Sequence, residues 1–135
     1  PLRYDIAAEV KRHFPSLRLI VNGGITTLVQ IREHLETFDG VMIGREAYHN
    51  PWFLTEIERG IFGNTATPDR RAVVEAFMDY AEARVKEGVP LKAMTRHILG
   101  LFQHQRGARH WKRTISENAH IDGMDPHILL RQAMG

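Results

Sequence analysis

The fold is decided by residues 17–24, which read LRLIVNGG, and by residues 39–45, which read DGVMIGR. Each is a short apolar run that closes in a glycine turn, as expected for a buried parallel strand that enters a tight turn. Between them, apolar side chains recur at helical spacing after Thr26 and Thr27, which are good helix caps. Two successive strand–helix units of this kind predict a parallel sheet, because parallel neighbours need a crossover helix.

Residues 17–21 and 41–43 are the predicted strands, and Met42 is expected in the core. A helix is predicted over residues 4–14, where apolar positions recur every three or four residues. Two strands alone leave unprotected sheet edges. The remaining strands are therefore expected from another subunit or from sequence that precedes the first residue.

The rest of the chain carries helix signals and no further strand signal. Asn50-Pro51 is predicted to start a short helix that fades over residues 60–63, and residues 64–68 are predicted to be a polar linker. Thr67 is expected to cap the first of four further helices, which together resemble a small bundle. Their predicted apolar stripes are Val73, Ala76, Phe77 and Tyr80; Leu91, Met94, Ile98, Leu101 and Phe102; Trp111, Ile115 and Ala119; and Ile128, Leu129 and Leu130.

Composition is that of a soluble globular protein. With 135 residues, of which 43% are hydrophobic and 25% charged, the chain is neither a disordered tail nor a collagen-like repeat. No apolar run approaches the roughly 18 residues that a membrane span needs. The absence of cysteine excludes disulfides, thiolate metal sites and a cysteine acid, and suits a reducing compartment, so a cytoplasmic location is expected. No metal site is expected, since His97 and His104 have no carboxylate partner in register.

Charge is distributed unevenly along the chain. The net charge is +2, yet residues 88–116 hold six Lys and Arg and no Asp or Glu. Such a basic block is expected for a polyanion site, and a solvated helix face with counter-ions explains it equally well. Trp111 lies inside the block and is expected to pack in the core, with stacking on a nucleotide base as the alternative.

The turns that follow the two strands are the first candidates for a ligand site, because ligands of α/β folds bind at the carboxyl ends of strands. The glycines of Asn22-Gly23-Gly24 and Gly44-Arg45 let backbone amides approach an anion, and Arg45 can add a bidentate bond to phosphate. A (β/α)8 barrel builds its common phosphate site from the loops after its last two strands. A glycine turn without a ligand is the alternative, but a second turn beside an arginine, one unit later, favours phosphate.

Longer strings in both regions resemble one family. Residues 21–25 (VNGGI), residues 39–47 (DGVMIGREA) and Asn50-Pro51 are similar to the end of the flavin-binding barrel of the tRNA-dihydrouridine synthases. The strings that resemble the C-terminal helical domain of the A-type subfamily are residues 95–102 (TRHILGLF), 107–113 (GARHWKR) and 116–120 (SENAH). The resemblance covers essentially the whole chain.

The resemblance implies an α/β fold followed by an all-α region. Residues 1–63 would be the last two βα units of a (β/α)8 TIM barrel, residues 64–68 a linker, and residues 69–135 a helical tRNA-binding domain of the four-helix type. It also implies an FMN enzyme that reduces the C5=C6 bond of uridine in the D-loop of tRNA, with NADPH as the reductant. The residues that would hold the FMN phosphate and ribityl region are Asn22, Gly23, Gly24, Gly44 and Arg45.

The partners that the resemblance implies are tRNA, FMN and a missing N-terminal barrel segment, with no membrane and a monomeric full enzyme. Arg109 and Lys112, three residues apart on one helix face, fall where family members carry a basic pair that contacts tRNA. Lys112 stands in place of an arginine and lacks the planar fork of a guanidinium. Further tRNA-binding candidates are Arg96, Arg106 and Arg113.

The family's acid is a cysteine in a barrel loop, and a lysine and a histidine from middle strands contact its flavin. None of those segments is present, so no catalytic residue is assigned in this chain, which is expected to be inactive alone. Two other functions stay open from the residues. One is a stand-alone nucleic-acid-binding helical module; the other is a different phosphate-binding barrel enzyme whose basic helices contact protein.

Overall fold

The computed structural model describes all 135 residues, and these divide into two compact units. Unit 1 comprises Pro1–Ala47 and Phe53–Thr65, and unit 2 comprises Tyr48–Trp52 and Ala66–Gly135. The first 65 residues contain α1 (Tyr4–His13), β1 (Ile20–Asn22), α2 (Leu28–Leu35), β2 (Gly40–Met42), α3 (Arg45–His49) and α4 (Phe53–Gly60). The remainder contains α5 (Arg70–Lys86), α6 (Leu91–Thr95), α7 (Ala108–Asn118) and α8 (Pro126–Met134). No helix is both long enough and apolar enough to cross a membrane.

The two strands form a parallel sheet, as predicted. Its register pairs Ile20 with Gly40, Val21 with Val41 and Asn22 with Met42. Because side chains alternate between the two faces, Val21 is buried in unit 1, whereas Ile20 and Met42 share the opposite face and are 62% and 54% exposed. The prediction that Met42 is a core residue is therefore wrong, because that face of the sheet is open to solvent.

Side-chain hydrogen bonds hold the residues that precede β1. The carboxylate of Asp39 accepts the amide N–H of Leu19 at 2.8 Å, and the Leu19 carbonyl accepts the amide N–H of Asp39 at 2.9 Å. Lys11 Nζ donates to the same carboxylate oxygen and to the carbonyl of Leu17, each at 2.8 Å. The Lys11 ammonium and the Leu19 amide lower the pKa of Asp39 from its ordinary value. Strand β1 therefore begins at Ile20, three residues later than the start of the predicted strand.

Helix α2 is fixed by a capping box at its first turn. The hydroxyl of Thr27 accepts the amide N–H of Gln30, and the side-chain oxygen of Gln30 accepts the amide N–H of Thr27, both at 3.2 Å. This confirms the predicted helix start, and α1 also lies where its periodicity predicts it. The helix contributes Ile31 to the core of unit 1, whose buried members are Val21, Ile25, Ile31, Phe38 and Phe53.

The segment after β2 differs from the prediction. Helix α3 follows Gly44 directly, where only a turn was expected, and the helix expected from Pro51 begins two residues later at Phe53. The break has a packing reason. Trp52 and Phe53 are neighbours in the chain, but Trp52 is buried in the core of unit 2 and Phe53 in that of unit 1.

Helix α5 is capped by Asp69 and not by Thr67. The Asp69 carboxylate accepts the amide N–H of Ala72 at 2.8 Å, which satisfies an N–H of the first turn. The buried face is also rotated from the predicted one: it is formed by Val74, Met78 and Ala81, with Val73 and Phe77 partly buried beside it, whereas Tyr80 is 53% exposed. This face packs with α8, which supplies two fully buried leucines, Leu129 and Leu130.

The helix predicted over residues 91–102 ends at Thr95, and residues 96–107 form a series of turns. Two side chains from elsewhere donate to carbonyls of this segment: Trp111 Nε1 donates to the carbonyl of Ile98 at 2.9 Å, and Arg70 Nε donates to that of Leu101 at 3.1 Å. Gly100 packs directly on the His49 backbone, so closely that a Cβ would lie 1.9 Å from the His49 carbonyl oxygen. Tertiary contacts therefore replace the helix here.

Helices α7 and α8 form as predicted. Gly107, with φ of 88°, precedes α7, and the carboxylate of Asp125 accepts the amide N–H groups of His127 and Ile128 at the start of α8. Unit 2 thus contains four helices, but α6 has only five residues, so a bundle of four long helices is not confirmed. The buried core of unit 2 consists of Trp52, Val74, Met78, Ala81, Leu91, Met94, Leu101, Trp111, Ile115, Ala119, Leu129, Leu130 and Ala133.

Candidate functional site

The parallel register brings the two glycine turns of unit 1 to the same edge of the sheet. Asn22 is the last residue of β1 and is followed by Gly23 and Gly24, while Gly44-Arg45 follows β2 after one intervening residue. Adjacent strands lie about 4.8 Å apart. The five residues predicted to hold a phosphate group therefore collect at one edge, which we call the glycine edge: Asn22, Gly23, Gly24, Gly44 and Arg45.

The first turn of the glycine edge has a backbone that favours glycine at both positions. Gly23 and Gly24 have φ angles of 115° and 66°, which side chains disfavour. The hydroxyl of Tyr4 donates to the carbonyl of Gly23, and the side chain of Leu2 lies so close that a Cβ on Gly24 would be 2.8 Å from its Cδ1 atom. The turn is therefore fixed from the α1 side by Leu2 and Tyr4.

The second turn of the glycine edge is open. A Cβ on Gly44 would meet no heavy atom within 4 Å, and the amide N–H groups of Gly24 and Gly44 donate to no backbone carbonyl. Arg45 is exposed, and its guanidinium makes no hydrogen bond or ion pair. Open amides beside an unpaired cation are the donor set that an anionic phosphate requires.

The five basic residues of unit 2 that are predicted to contact tRNA are exposed and fall into three environments. Arg96 and Lys112 line one open groove of about 500 Å³. Arg106 borders a separate recess of about 50 Å³ between Phe102 and Met134. Arg109 and Arg113 lie in neither, and Arg113 Nε is paired with Glu117 at 2.9 Å one helical turn away. The structure therefore places two of the five predicted tRNA contacts in one groove and the other three outside it, although Arg109 and Arg113 share helix α7 with Lys112.

The groove also contains residues that the sequence analysis did not single out. Tyr48, His49 and Gln103 line it together with Arg96 and Lys112, and Gln103 Oε1 accepts a hydrogen bond from Lys112 Nζ at 2.7 Å. Tyr48 and His49 lie about forty positions before the basic block, so no local pattern joins them to it. The one available signal is Gly100, since a glycine inside an apolar run indicates a close backbone approach.

Trp111 is a core residue and not a stacking surface. It is 1% exposed, its indole N–H donates to the carbonyl of Ile98, and its ring lies 4.7 Å from that of Phe102. The interpretation of Trp111 as core is confirmed, and no face of its ring is accessible to a base.

Comparison with known proteins identifies the family. The model of the Dihydrouridine synthase (Dus) family matches residues 1–134. A tRNA-dihydrouridine(20/20a) synthase of Vibrio cholerae is 50% identical over 124 residues, which are 91% of this chain and 38% of that protein. Proteins of the same name from Pseudomonas putida and Shewanella oneidensis are each 48% identical, over 99% and 91% of this chain.

These alignments cover only 37–40% of the relatives, so the chain spans less than half of their length. The matched part nevertheless includes both the glycine edge and the basic helices. The resemblance noted in the sequence is confirmed, and the chain belongs to the dihydrouridine synthase family.

Proposed function

We propose that this chain is the C-terminal part of an FMN-dependent tRNA-dihydrouridine synthase, which reduces the C5=C6 bond of uridine in the D-loop of tRNA with NADPH as the reductant. The observation that carries the proposal is the parallel register, which places both glycine turns and Arg45 at one edge of the sheet. Relatives named tRNA-dihydrouridine(20/20a) synthase support the substrate, and positions 20 and 20a are the proposed targets.

The fold supports placing this chain within a larger barrel. The dihydrouridine synthase family has a TIM-barrel fold, and the two-stranded parallel sheet is consistent with part of one. Ile20 and Met42 are apolar but lie on the exposed face of the sheet. Apolar residues on both faces are typical of parallel strands that are covered on both sides, as in a barrel. We propose that residues 1–63 are the last two βα units, that 64–68 form the linker, and that 69–135 are the helical tRNA-binding domain.

The glycine edge fits the phosphate end of FMN. Asn22 supplies an exposed amide side chain, the turns at Gly24 and Gly44 supply backbone N–H donors, and Arg45 supplies a charge that can bind phosphate oxygens in bidentate fashion. The open space around Gly44 leaves room for such a group. Bound FMN supplies the hydride chemistry. The part of this chain is to bind and orient the cofactor.

The basic residues of unit 2 are proposed to bind tRNA. A base inside folded RNA must be turned outward before it can react, at a cost of about a few kcal/mol that contacts elsewhere offset. Exposed cations can supply those contacts through phosphates, which fix the register of the RNA. The proposed residues are Arg96, Arg106, Arg109, Lys112 and Arg113, and of these Arg113 has a competing partner in Glu117.

Protonation of the uracil ring is proposed to come from outside this chain. The chain contains no cysteine, the residue type that the resemblance implies as the acid. We therefore expect the 135 residues alone to bind RNA but to form no dihydrouridine.

The test joins this chain to the N-terminal portion of the Pseudomonas putida relative that it does not match. We expect the purified hybrid to be yellow with bound FMN and to form dihydrouridine in unmodified tRNA. Arg45→Ala should weaken FMN binding about 10- to 150-fold, as expected for a lost charged hydrogen bond, and Arg18→Ala, an exposed arginine before β1, should not. A folded, colourless hybrid would contradict the proposal and would favour a stand-alone nucleic-acid-binding module.

A further inference from the structure

The groove of unit 2 has the size and shape of a ligand site. It is lined by Tyr48, His49, Arg96, Gly100, Gln103 and Lys112, and its volume is about 500 Å³. Small-molecule sites are typically about 300–1,000 Å³. The groove is shaped by the close packing of Gly100 on the His49 carbonyl, which no other residue would allow.

The charge of the groove is positive and its cations are held in place. No carboxylate lines it, and no acidic residue occurs anywhere in residues 88–116. Lys112 Nζ donates to Gln103 Oε1 at 2.7 Å, and Arg96 Nε donates to His97 Nε2 at 3.2 Å. Each cation thereby uses one donor inside the protein and keeps further N–H donors for an anion.

One wall of the groove is an exposed aromatic ring. Tyr48 is 52% exposed, and its ring lies edge to face with the rings of His49 and His97, at 5.6 and 5.8 Å with interplanar angles of 77° and 79°. Two perpendicular neighbours fix the orientation of the ring without stacking on it in parallel. An exposed aromatic side chain held beside cations is the kind of surface on which unpaired bases stack.

We propose that this groove binds one unpaired nucleotide of an RNA loop, with the base stacked on Tyr48 and its phosphate bound by Arg96 and Lys112. The inference rests on the proposed tRNA function and deepens it, because it names a base contact in addition to phosphate contacts. Bases within a duplex are stacked on each other and present no free face. The groove therefore distinguishes a loop from a helix.

The test measures binding of the 135-residue chain to two fluorescent RNAs, a hairpin with an unpaired loop and a blunt duplex of equal length, by anisotropy at several salt concentrations. Tyr48→Ala should weaken hairpin binding about 5- to 150-fold, leave its salt slope unchanged and barely affect the duplex. Tyr48→Phe should retain wild-type binding. The matched control is Tyr80→Ala, since Tyr80 is 53% exposed in the same unit but lies outside the groove.

Lys112→Ala should lower the magnitude of the salt slope by about 0.7–0.9 for both RNAs, as expected for one lost phosphate contact. Equal hairpin affinity of Tyr48→Ala and wild type would overturn the inference and leave the proposed tRNA function intact. An equal loss of affinity of Tyr48→Ala for the hairpin and for the duplex would also overturn the inference. A wild-type chain that bound neither RNA would overturn the RNA role of unit 2 as well, whereas FMN binding by the hybrid protein would be unaffected.

Discussion

The two units of the molecule differ in how completely they bury their apolar residues. Unit 2 has thirteen buried core residues, including Trp111 and the two leucines of α8, whereas unit 1 has five. Of the fifteen large hydrophobic residues that are exposed, eleven belong to unit 1. These eleven are Leu2, Ile6, Val10, Phe14, Leu17, Ile20, Val29, Leu35, Met42, Leu54 and Phe62.

The difference indicates that unit 2 closes its core with its own residues, while unit 1 has apolar surface for which this chain offers no partner. Burial of apolar area is the main favourable contribution to folding, so unit 1 should have the lower free energy of unfolding. This agrees with the proposal that unit 1 is part of a barrel. Both tryptophans, Trp52 and Trp111, are in unit 2, so tryptophan fluorescence reports on unit 2 alone.

The largest effect is expected from Trp111→Ala. It removes a side chain that is 1% exposed and that donates its indole N–H to the carbonyl of Ile98, so unit 2 should lose about 3–5 kcal/mol. Urea unfolding followed by the fluorescence of Trp52 measures this, and methyl NMR signals of Ile31 report on unit 1. A loss below about 1 kcal/mol would contradict a closed core in unit 2.

Gly100→Ala should destabilise unit 2 by about 3 kcal/mol, at the upper end of overpacking effects, because the new Cβ meets backbone that cannot move aside easily. Thermal unfolding followed by tryptophan fluorescence measures the effect. Gly44→Ala is the control, followed by the methyl NMR signals of Ile31 because Gly44 lies in unit 1: its Cβ meets no atom within 4 Å, and stability should be almost unchanged. Equal behaviour of the two variants would show that the approach to His49 is looser than the structure describes.

A pair of substitutions in β1 sharpens the contrast within unit 1. Val21→Thr places a hydroxyl in the core and should cost about 1–3 kcal/mol, whereas Ile20→Thr, on the exposed face, should stay within about 0.5 kcal/mol. Urea unfolding followed by methyl NMR of Ile31 distinguishes them. In the hybrid with a complete barrel, Ile20→Thr should become costly; if it stays neutral there, the exposed sheet face is not a barrel interior.

The smallest effect concerns the acid range. Because Lys11 and the Leu19 amide lower the pKa of Asp39 in the folded state, the carboxylate stabilises unit 1 above its ordinary value of 3.8, and this stabilisation is lost as the pH falls below it. Asp39→Asn should therefore reduce the loss of unit 1 stability between about pH 5 and about pH 3. Urea midpoints from Ile31 methyl signals measure it, with Glu36→Gln as the control, an exposed carboxylate of the same unit that makes no ion pair. Identical pH profiles of wild type and Asp39→Asn would exclude this role.

Local chemistry was readable from the sequence. The Thr27 capping box, the glycine before α7 and the Asp125 cap each involve residues within four positions of one another, and the helices that they start lie where their apolar stripes predict them. The parallel pairing of β1 and β2 also followed from the strand–helix–strand order.

Features that depend on distant partners were not readable. The helix whose apolar stripe predicts it from Leu91 to Phe102 ends at Thr95, and the turns that follow it accept side-chain hydrogen bonds from Arg70 and Trp111, the first of which lies 31 residues from its acceptor, Leu101. Tyr48 joins Arg96 and Lys112 only through the fold. Met42 satisfied the pattern of a buried strand, but burial also requires neighbouring strands, which the pattern of one segment does not contain.

Residues Tyr48–Trp52 belong to unit 2, although residues of unit 1 flank them on both sides in the sequence. This arrangement affects both folding during synthesis and separation of the units by proteolysis. During synthesis from the N-terminus, Trp52 leaves the ribosome before α7 and α8, which complete the core around it. This apolar residue therefore stays exposed to solvent until they are made, unless a chaperone binds it. No single cleavage of the polypeptide separates the units intact, because a break on either side of this segment removes part of one of them. Neither unit can therefore be produced complete from one uninterrupted segment of the chain.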